Sequence, residues 1–222
     1  MFLLRILGRV ASLHILTGRA LAWLYTKAWG RSGLHWFDHR IDFLRGPHFW
    51  YWQERGILGS QMIRSGDHVL DLCCGEGFYD LMYFSDRAKQ IDALDMDSRA
   101  IKSAMAKNDR GNVHFYICDV VRDDFPSAKY DTVLCFSALQ QLTEGQLHDL
   151  LPKIRGAMNP GGLFFGSVSV IPENKVLVDE EGIRSCLGFY FQSVELHSSP
   201  WPNGRIEWYF DCRNPLAAEI GQ

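Results

Sequence analysis

From residue 66 onward, short apolar segments alternate with segments of helical periodicity. This alternation is typical of an α/β fold in which helices cover both faces of a mostly parallel, doubly wound sheet. The predicted strands are 67–72, 90–95, 112–118, 130–136 and 162–170, and the predicted helices lie near 78–88, 98–109, 143–158 and 179–187.

The C-terminal part of the chain departs from this alternation. Two apolar runs, 189–197 and 205–213, flank a segment that contains Asn203, Gly204 and two prolines. An Asn-Gly pair favours a tight turn between antiparallel strands. We therefore expect the sheet to end in an antiparallel hairpin, which brings it to seven strands.

Charge is distributed unevenly along the 222 residues. Residues 1–37 contain five Lys or Arg and no Asp or Glu, whereas the remainder holds 18 basic and 26 acidic residues. Nucleic-acid affinity comes largely from basic side chains that neutralise phosphates, so the acidic body argues against a nucleic-acid partner. The length suits one α/β domain, predicted at 59–222, behind an N-terminal segment at 1–58.

Residues 2–29 are predicted to form an amphipathic helix, because Arg5, Arg9, Arg19 and Lys27 fall within one arc at about 100° per residue. Such a helix packs on its own domain, pairs with a second copy, or lies on an anionic membrane with its basic stripe at the headgroups. No window reaches the ~18 apolar residues that a bilayer-spanning helix needs. An organellar presequence is a further alternative, since the segment is Arg-rich and acid-free.

The six cysteines are too sparse for a disulfide scaffold and include no C-x-x-C pair. Four of them fall in apolar, strand-like runs, which predicts buried, reduced thiols at Cys73, Cys74, Cys118 and Cys135. We therefore expect a cytoplasmic protein, with peripheral membrane contact through residues 2–29 as a related hypothesis.

The sharpest motif is the run VLDLCCGEGFY at 69–79, where an acidic residue ends an apolar strand and a glycine-containing turn opens a helix. Glycines let a backbone approach a ligand closely, and open α/β sheets bind ligands at the carboxyl ends of their strands. A dinucleotide site needs a small residue where this chain has Asp80. Because a carboxylate there would repel a diphosphate, a nicotinamide oxidoreductase is the least favoured class.

The form D-x-x-x-G-x-G resembles motif I of the class I S-adenosylmethionine-dependent methyltransferases, whose Rossmann-like sheet also has seven strands. Later segments resemble further motifs of that family in the same order, namely ALDMD at 93–97, YICDV at 116–120, TVLCFSAL at 132–139 and MNPGGLFF at 158–165. The resemblance covers residues 66–170. It implies that S-adenosylmethionine is the cofactor.

The resemblance also assigns roles to residues of motif I. It implies that Asp71 lies near the methionine ammonium group and that Gly75 and Gly77 lie beneath the cofactor. Cys73 stands where the family usually has its first glycine, and we expect its small side chain to be tolerated.

Residues at the ends of the next three strands complete the predicted cofactor site. The resemblance implies that Asp95 binds the ribose hydroxyls, that Met96 packs on the adenine and that Asp119 binds the adenine amino group. Asp97 is expected to cap the helix that follows it. The remaining predicted cofactor contacts are Val120 and Phe136.

Absent motifs narrow the methyl acceptor. Segment 136–139 lacks the N/D-P-P-Y/F pattern of amino-group methylation, and the strand-end cysteines lack the sequence context of pyrimidine-carbon methylation. The Asp-Asn pair of the metal-dependent catechol type is also missing. We therefore expect metal-independent O-methylation of a small-molecule or glycan acceptor, including a lipid-linked glycan. The alternatives are a lipid quinone-like acceptor and a cofactor-binding module without catalysis.

Residues 33–56 contain seven aromatic residues and three histidines. Aromatic faces with a few polar groups suit a sugar or ring substrate, so this segment is predicted to form a lid over the acceptor. The alternative is that these aromatics simply pack on the sheet. We predict His48 as the base, and Gln140 and Gln141 as acceptor contacts.

Overall fold

The computed structural model describes residues 50–170, 176–200 and 206–215. The predicted amphipathic helix at 2–29, His48 and most of the predicted lid segment lie outside these residues. Contacts define one compact unit that begins at Arg55. Within the described ranges, no helix combines the length and the hydrophobicity that crossing a bilayer requires.

The described residues form a seven-stranded sheet in the order β3-β2-β1-β4-β5-β7-β6. The first five strands pair in parallel, and β7 pairs antiparallel with both β5 and β6. The predicted α/β architecture with a C-terminal antiparallel hairpin is confirmed. The strands are β1 (His68–Leu72), β2 (Gln90–Asp95), β3 (Val113–Ile117), β4 (Tyr130–Phe136), β5 (Met158–Ser169), β6 (Phe191–Pro200) and β7 (Ile206–Pro215).

The helices of the described residues begin at polar caps in three of four cases. They are α1 (Trp50–Met62), α2 (Ser98–Lys107), α3 (Glu144–Ala157) and α4 (Glu180–Gly188). The Asp97 side chain accepts a hydrogen bond from the backbone of Arg99, which confirms its predicted capping role. Thr143 and Gln146 form a capping box at α3, and Asp179 caps α4.

The main core lies between the sheet and helices α3 and α4. Leu150 and Ile154 of α3 and Ile183 of α4 pack with Phe164 and Phe210 of the sheet, and all five are almost fully buried. Burial of a side chain of this size contributes about 1.5–3 kcal/mol. This packing holds the strands in place, and with them the turns at their carboxyl ends.

The helix predicted at 78–88 is shorter than expected. A π-helical segment, Asp80–Phe84, gives way to a turn, and the backbone nitrogen of Ser85 donates to the carbonyl oxygen of Asp80 at 2.9 Å. The side-chain amide of Asn112 donates to the carbonyls of Ser85 and Ala88 at 2.8 and 2.9 Å. Because Asn112 satisfies these carbonyls, the chain leaves the helix there without losing hydrogen bonds.

Strand β5 begins earlier than predicted, at Met158 rather than residue 162. Met158 pairs with Tyr130 before an irregularity in the β4–β5 register, and Gly161 then takes a φ of +73°. Glycine adopts this conformation without the steric cost that other residues meet.

Candidate cofactor site and active site

The turn after β1 contains three residues with positive φ, Cys73 at 61°, Gly75 at 60° and Gly77 at 69°. A Cβ on Gly75 would point into open space, whereas a Cβ on Gly77 would lie 2.4 Å from Cζ of Phe115. Gly75 therefore leaves room for a ligand at the carboxyl edge of the sheet, and Gly77 lets the turn pack closely against β3.

Cys73 is exposed, so the expectation of a buried thiol is wrong for this residue. Cys74 is half-buried, whereas Cys118 and Cys135 are buried as expected. The reason is that Cys73 follows the last residue of β1 instead of lying within the strand, and its positive φ turns the chain outward.

Asp95, at the end of β2, connects the first two motif turns. Its Oδ2 accepts a hydrogen bond from the backbone nitrogen of Gly75 at 2.8 Å, and its Oδ1 accepts one from the backbone nitrogen of Asp97 at 2.8 Å. A carboxylate has about four acceptor positions, so Asp95 retains acceptor capacity for hydroxyl groups of a ligand. Its carboxyl group is half-buried beside the open space at Gly75.

The ends of β2 and β3 lie side by side, because Asp95 pairs with Ile117 in the parallel register. Met96 and Ile117 are exposed at this edge, by 72% and 56%. Exposed apolar side chains next to polar groups are typical of a surface that binds an aromatic ring of a ligand.

Asp119 follows β3, and its Oδ1 accepts hydrogen bonds from the backbone nitrogens of Val121 and Arg122 at 3.0 and 3.4 Å. The carboxylate thus stabilises its own turn and remains half-buried. The neighbouring Val120 has its side chain in the main core, so a cofactor contact at this position falls to the backbone.

Asp71 and Asp80 form a buried pair of carboxyl groups beneath the motif turn. Asp71 is 2% exposed and Asp80 is fully buried, and neither carboxyl oxygen of Asp80 accepts a hydrogen bond from an N–H or hydroxyl group of another described residue. Burial raises the pKa of both groups, that of Asp80 to about 7, and repulsion and hydrogen bonding between them raise the pKa of Asp71 further. Both carboxyl groups therefore bind a proton more strongly than exposed aspartates do.

A second polar network lies where β4, β5 and β7 meet. Arg55 of α1 donates from Nε and Nη2 to Oε1 of the fully buried Glu207, at 3.1 and 2.7 Å. The hydroxyl of Ser137, just after β4, donates to the same oxygen at 3.0 Å, and that of Ser169 donates to Oε2. Tyr79, from the turn after β1, lies beside Arg55. This network connects the first helix to three strands.

The sequence analysis missed this network because Arg55 and Glu207 are 152 positions apart. The available signal was Glu207 itself, a carboxylate in the otherwise apolar run 206–210, which a buried sheet tolerates only with a partner. Nothing in the sequence pattern indicates that the partner is Arg55.

The remaining predicted active-site residues fall at the end of β4 or outside the described residues. Phe136 packs with Tyr79, Phe84 and Phe165 in an aromatic cluster. Gln140 lies in a single 3₁₀ turn, Leu139–Gln141, and is 5% exposed, while Gln141 is exposed.

Comparison with known proteins identifies the domain. Residues 69–162 match the family described as a methyltransferase domain. An uncharacterized methyltransferase of Synechocystis is 28% identical over 108 residues, which is 48% of this chain and 49% of the relative. The malonyl-[acyl-carrier protein] O-methyltransferase of Serratia marcescens is 27% identical over 111 residues, which is 50% of this chain and 42% of the relative. The chain thus spans about half the length of the curated relatives it matches.

A solved structure shares the fold. The N-methyltransferase NodS of Bradyrhizobium japonicum, in complex with S-adenosyl-L-homocysteine, has a TM-score of 0.60 at 14% identity, covering 73% of this chain and 87% of that one. The family match over residues 69–162 and the curated relatives support a class I S-adenosylmethionine-dependent methyltransferase domain, and this likeness shows that the fold is shared. The class and the cofactor expected from the sequence are confirmed.

The residues at the carboxyl edge fit S-adenosylmethionine. The open space beside Gly75 accepts a ligand, Asp95 keeps acceptor capacity for hydroxyl groups, and Met96 offers an apolar surface. The carboxyl pair of Asp71 and Asp80 suits a cationic group better than a phosphate. The individual roles of these residues stay predictions.

Proposed function

We propose that this protein catalyses metal-independent O-methylation of a small-molecule or glycan acceptor, with S-adenosylmethionine as the methyl donor. The observation that carries the proposal is the hydrogen bond from Gly75 to Asp95, which joins two motif turns around one open space. The cofactor supplies a methyl group that its sulfonium sulfur has already activated. The chain has to align the acceptor with that methyl group and to exclude competing water.

The ends of β4 and β5 are proposed to face the acceptor. Ser137 follows β4 with a φ of +51°, and its backbone nitrogen donates to the carbonyl of Ser167 at 2.8 Å. Its hydroxyl is held by Glu207, which pairs with Ser169 across β5 and β7. A turn fixed from three strands supports the rigid positioning that an in-line displacement needs.

His48 is the proposed base for the acceptor hydroxyl, because an imidazole exchanges protons near neutral pH. Gln140 and Gln141 are proposed acceptor contacts, and their position directly after β4 supports this role. Exposed Gln141 is open to an incoming acceptor, whereas buried Gln140 would contact only an acceptor that reaches below the surface.

The choice of oxygen as the acceptor atom has support from one relative, which is named for O-methylation. The N-methyltransferase with the same fold shows that the fold alone does not select the atom. Oxygen is favoured here because segment 136–139 lacks the N/D-P-P-Y/F pattern of amino-group methylation. The acidic charge of the chain after residue 37 argues against nucleic acid as a partner.

Residues 1–58 are proposed to supply the N-terminal helix and the lid, and residues 59–222 the cofactor-binding domain. We propose that the protein works in the cytoplasm, peripherally on an anionic membrane through residues 2–29. The five basic and no acidic residues of segment 1–37 support this location. A lipid-linked glycan would then be the favoured acceptor, with a lipid quinone-like compound as the alternative.

The experiment combines acceptor discovery with atom assignment. Small molecules, lipids and glycans from a strain lacking the gene are fractionated and incubated with the purified protein and methyl-labelled S-adenosylmethionine. We expect label in one fraction, resistance of the transfer to EDTA, and an O-methyl group in the product by NMR. Asp95→Ala is the matched control, and it should reduce the labelling when the cofactor concentration is limiting.

Each other outcome rejects a specific part of the proposal. An N-methyl product would contradict oxygen as the acceptor atom, and loss of transfer with EDTA would contradict metal independence. A protein that binds S-adenosylhomocysteine but labels no fraction would be a cofactor-binding module without catalysis.

A further inference from the structure

The carboxyl groups of Asp71 and Asp80 are both buried and interact with each other. Asp71 is the penultimate residue of the buried strand β1, where it pairs with Ala93 and Leu134 of the two neighbouring strands. Asp80 opens the π-helical segment that follows the motif turn, and it is fully buried without a hydrogen-bond donor from another described residue. Two unneutralised carboxylates in contact inside a protein are strongly unfavourable. One proton bound between them removes most of that cost.

The groups that face the pair offer no positive charge among the described residues. The titratable groups that act on it are the carboxylate of Asp95 and the thiols of Cys73, Cys74 and Cys135. The carboxylate of Asp95 favours retention of the proton, and the thiols, whose pKa values burial raises, stay uncharged and do not oppose it. Within the part of the chain that the structure describes, no group supplies the charge that would replace the proton, whereas a cationic ligand brings such a charge.

We propose that Asp80 is a positioning residue of the cofactor site, which acts through Asp71: the pair holds one proton in the free protein and releases it to solvent when the ammonium group of the cofactor binds. The proposal rests on the proposed function, because it takes the amino-acid end of the cofactor to lie at Asp71. The positive charge lost with the proton is replaced by the ammonium group, so the net charge of the buried site is unchanged.

This exchange of a proton for an ammonium group lets the site distinguish ligands that carry the amino-acid end from ligands that lack it. A ligand that carries the ammonium group expels the proton and gains a dianionic partner. A ligand that shares only the adenosine part leaves the proton in place, and the site discriminates against it. Asp80 thus supplies specificity for the amino-acid end without contacting the cofactor.

The test is calorimetric titration with S-adenosylhomocysteine at pH 6.5 in three buffers of different ionisation enthalpy. The dependence of the observed enthalpy on the buffer gives the number of protons released. We expect a release approaching one proton, and a tenfold rise in affinity per pH unit below the pKa of the pair. Methylthioadenosine, which lacks the amino-acid end, should bind with almost no release.

Two variants separate positioning from a structural role. Asp80→Asn keeps the shape of the side chain, so it should bind S-adenosylhomocysteine with little proton release and a flattened pH profile. Asp97→Asn, at an exposed helix cap, should behave like the wild-type protein.

The wild-type comparison of the two ligands decides the proposal even if the Asp80 variant does not fold. Equal proton release with both ligands, or none with S-adenosylhomocysteine, would overturn it while leaving the methyltransferase function intact. Failure of the folded protein to bind S-adenosylhomocysteine at all would overturn the proposed function, and this inference with it.

Discussion

Asp95 accepts a 2.8 Å hydrogen bond from the backbone of Gly75, twenty positions earlier in the chain. This bond joins the end of β2 to the turn after β1, and both segments belong to the predicted cofactor site. Asp95 therefore stabilises the turn after β1, in addition to the ribose contact that is predicted for it.

The two glycines of this turn should respond differently to a methyl group. Gly77→Ala would place Cβ 2.4 Å from the ring of Phe115 at a positive φ, so we expect a loss of at least about 2–3 kcal/mol of stability. Gly75→Ala points into open space and should cost only about 1–2 kcal/mol from its positive φ. It should nevertheless weaken S-adenosylhomocysteine binding, because the methyl group enters the space of the ligand. Urea unfolding measures the stability of both variants, and calorimetry measures their affinity for S-adenosylhomocysteine. If the folded Gly75→Ala variant binds this ligand as tightly as the wild-type protein does, the prediction is wrong.

The alternation of apolar runs was enough to predict the sheet, because buried parallel strands bound on both sides by turn residues leave a clear pattern. The helix after β1 was predicted too long, since the Asn112 side chain that ends it is distant in sequence. Asp80 was noted as an obstacle to a diphosphate, but its contact with Asp71 depends on the π-helical segment, which sequence patterns do not reveal. The predicted boundary between residues 58 and 59 would separate Arg55 from its partner Glu207.

Cys73 carries backbone strain that a glycine would relieve. With its φ of +61° and an exposed side chain, Cys73→Gly should raise the free energy of unfolding by up to about 1 kcal/mol, because the strain exceeds the extra entropy of glycine in the unfolded chain. Cys73→Ala keeps the Cβ and is the matched control, so it should not stabilise the protein. Urea unfolding compares the two, and equal stabilities would show that the turn is unstrained at this position.

Replacing only one partner of the ion pair between Arg55 and Glu207 should lower the stability of the folded protein strongly. Arg55→Met leaves a fully buried carboxylate with only serine donors among the described residues, so we expect a loss of about 3–5 kcal/mol. The double variant Arg55→Met/Glu207→Gln removes the buried charge and should recover part of that loss. Thermal unfolding of the wild-type protein and both variants measures the recovery, and a double variant less stable than Arg55→Met would refute this account of the network.

The carboxyl pair predicts how stability depends on pH. The pKa of Asp80 is raised to about 7 by burial, so in this range the folded protein binds more protons than the unfolded chain. The stability that the proton supplies is present at low pH and is lost as the pH rises toward 7, at up to about 1.4 kcal/mol per pH unit. The free energy of unfolding of Asp80→Asn, measured relative to that of the wild-type protein, should therefore increase as the pH is raised from 5 to 7. Urea unfolding across this range checks the sign, with Asp97→Asn as the control, and a relative loss would contradict the shared proton.

Calorimetric titration with S-adenosylhomocysteine tests the central claim, that the carboxyl edge at Asp95 is an adenosine-binding site of a methyltransferase. The wild-type protein should bind S-adenosylhomocysteine and not NAD, and Asp95→Ala should weaken binding by roughly 1–3 kcal/mol through the loss of charge-assisted hydrogen bonds. Asp97→Ala should affect stability and leave the affinity unchanged, because its carboxylate caps α2. Unchanged affinity in a folded Asp95→Ala variant, or tighter binding of NAD than of S-adenosylhomocysteine, would contradict the account.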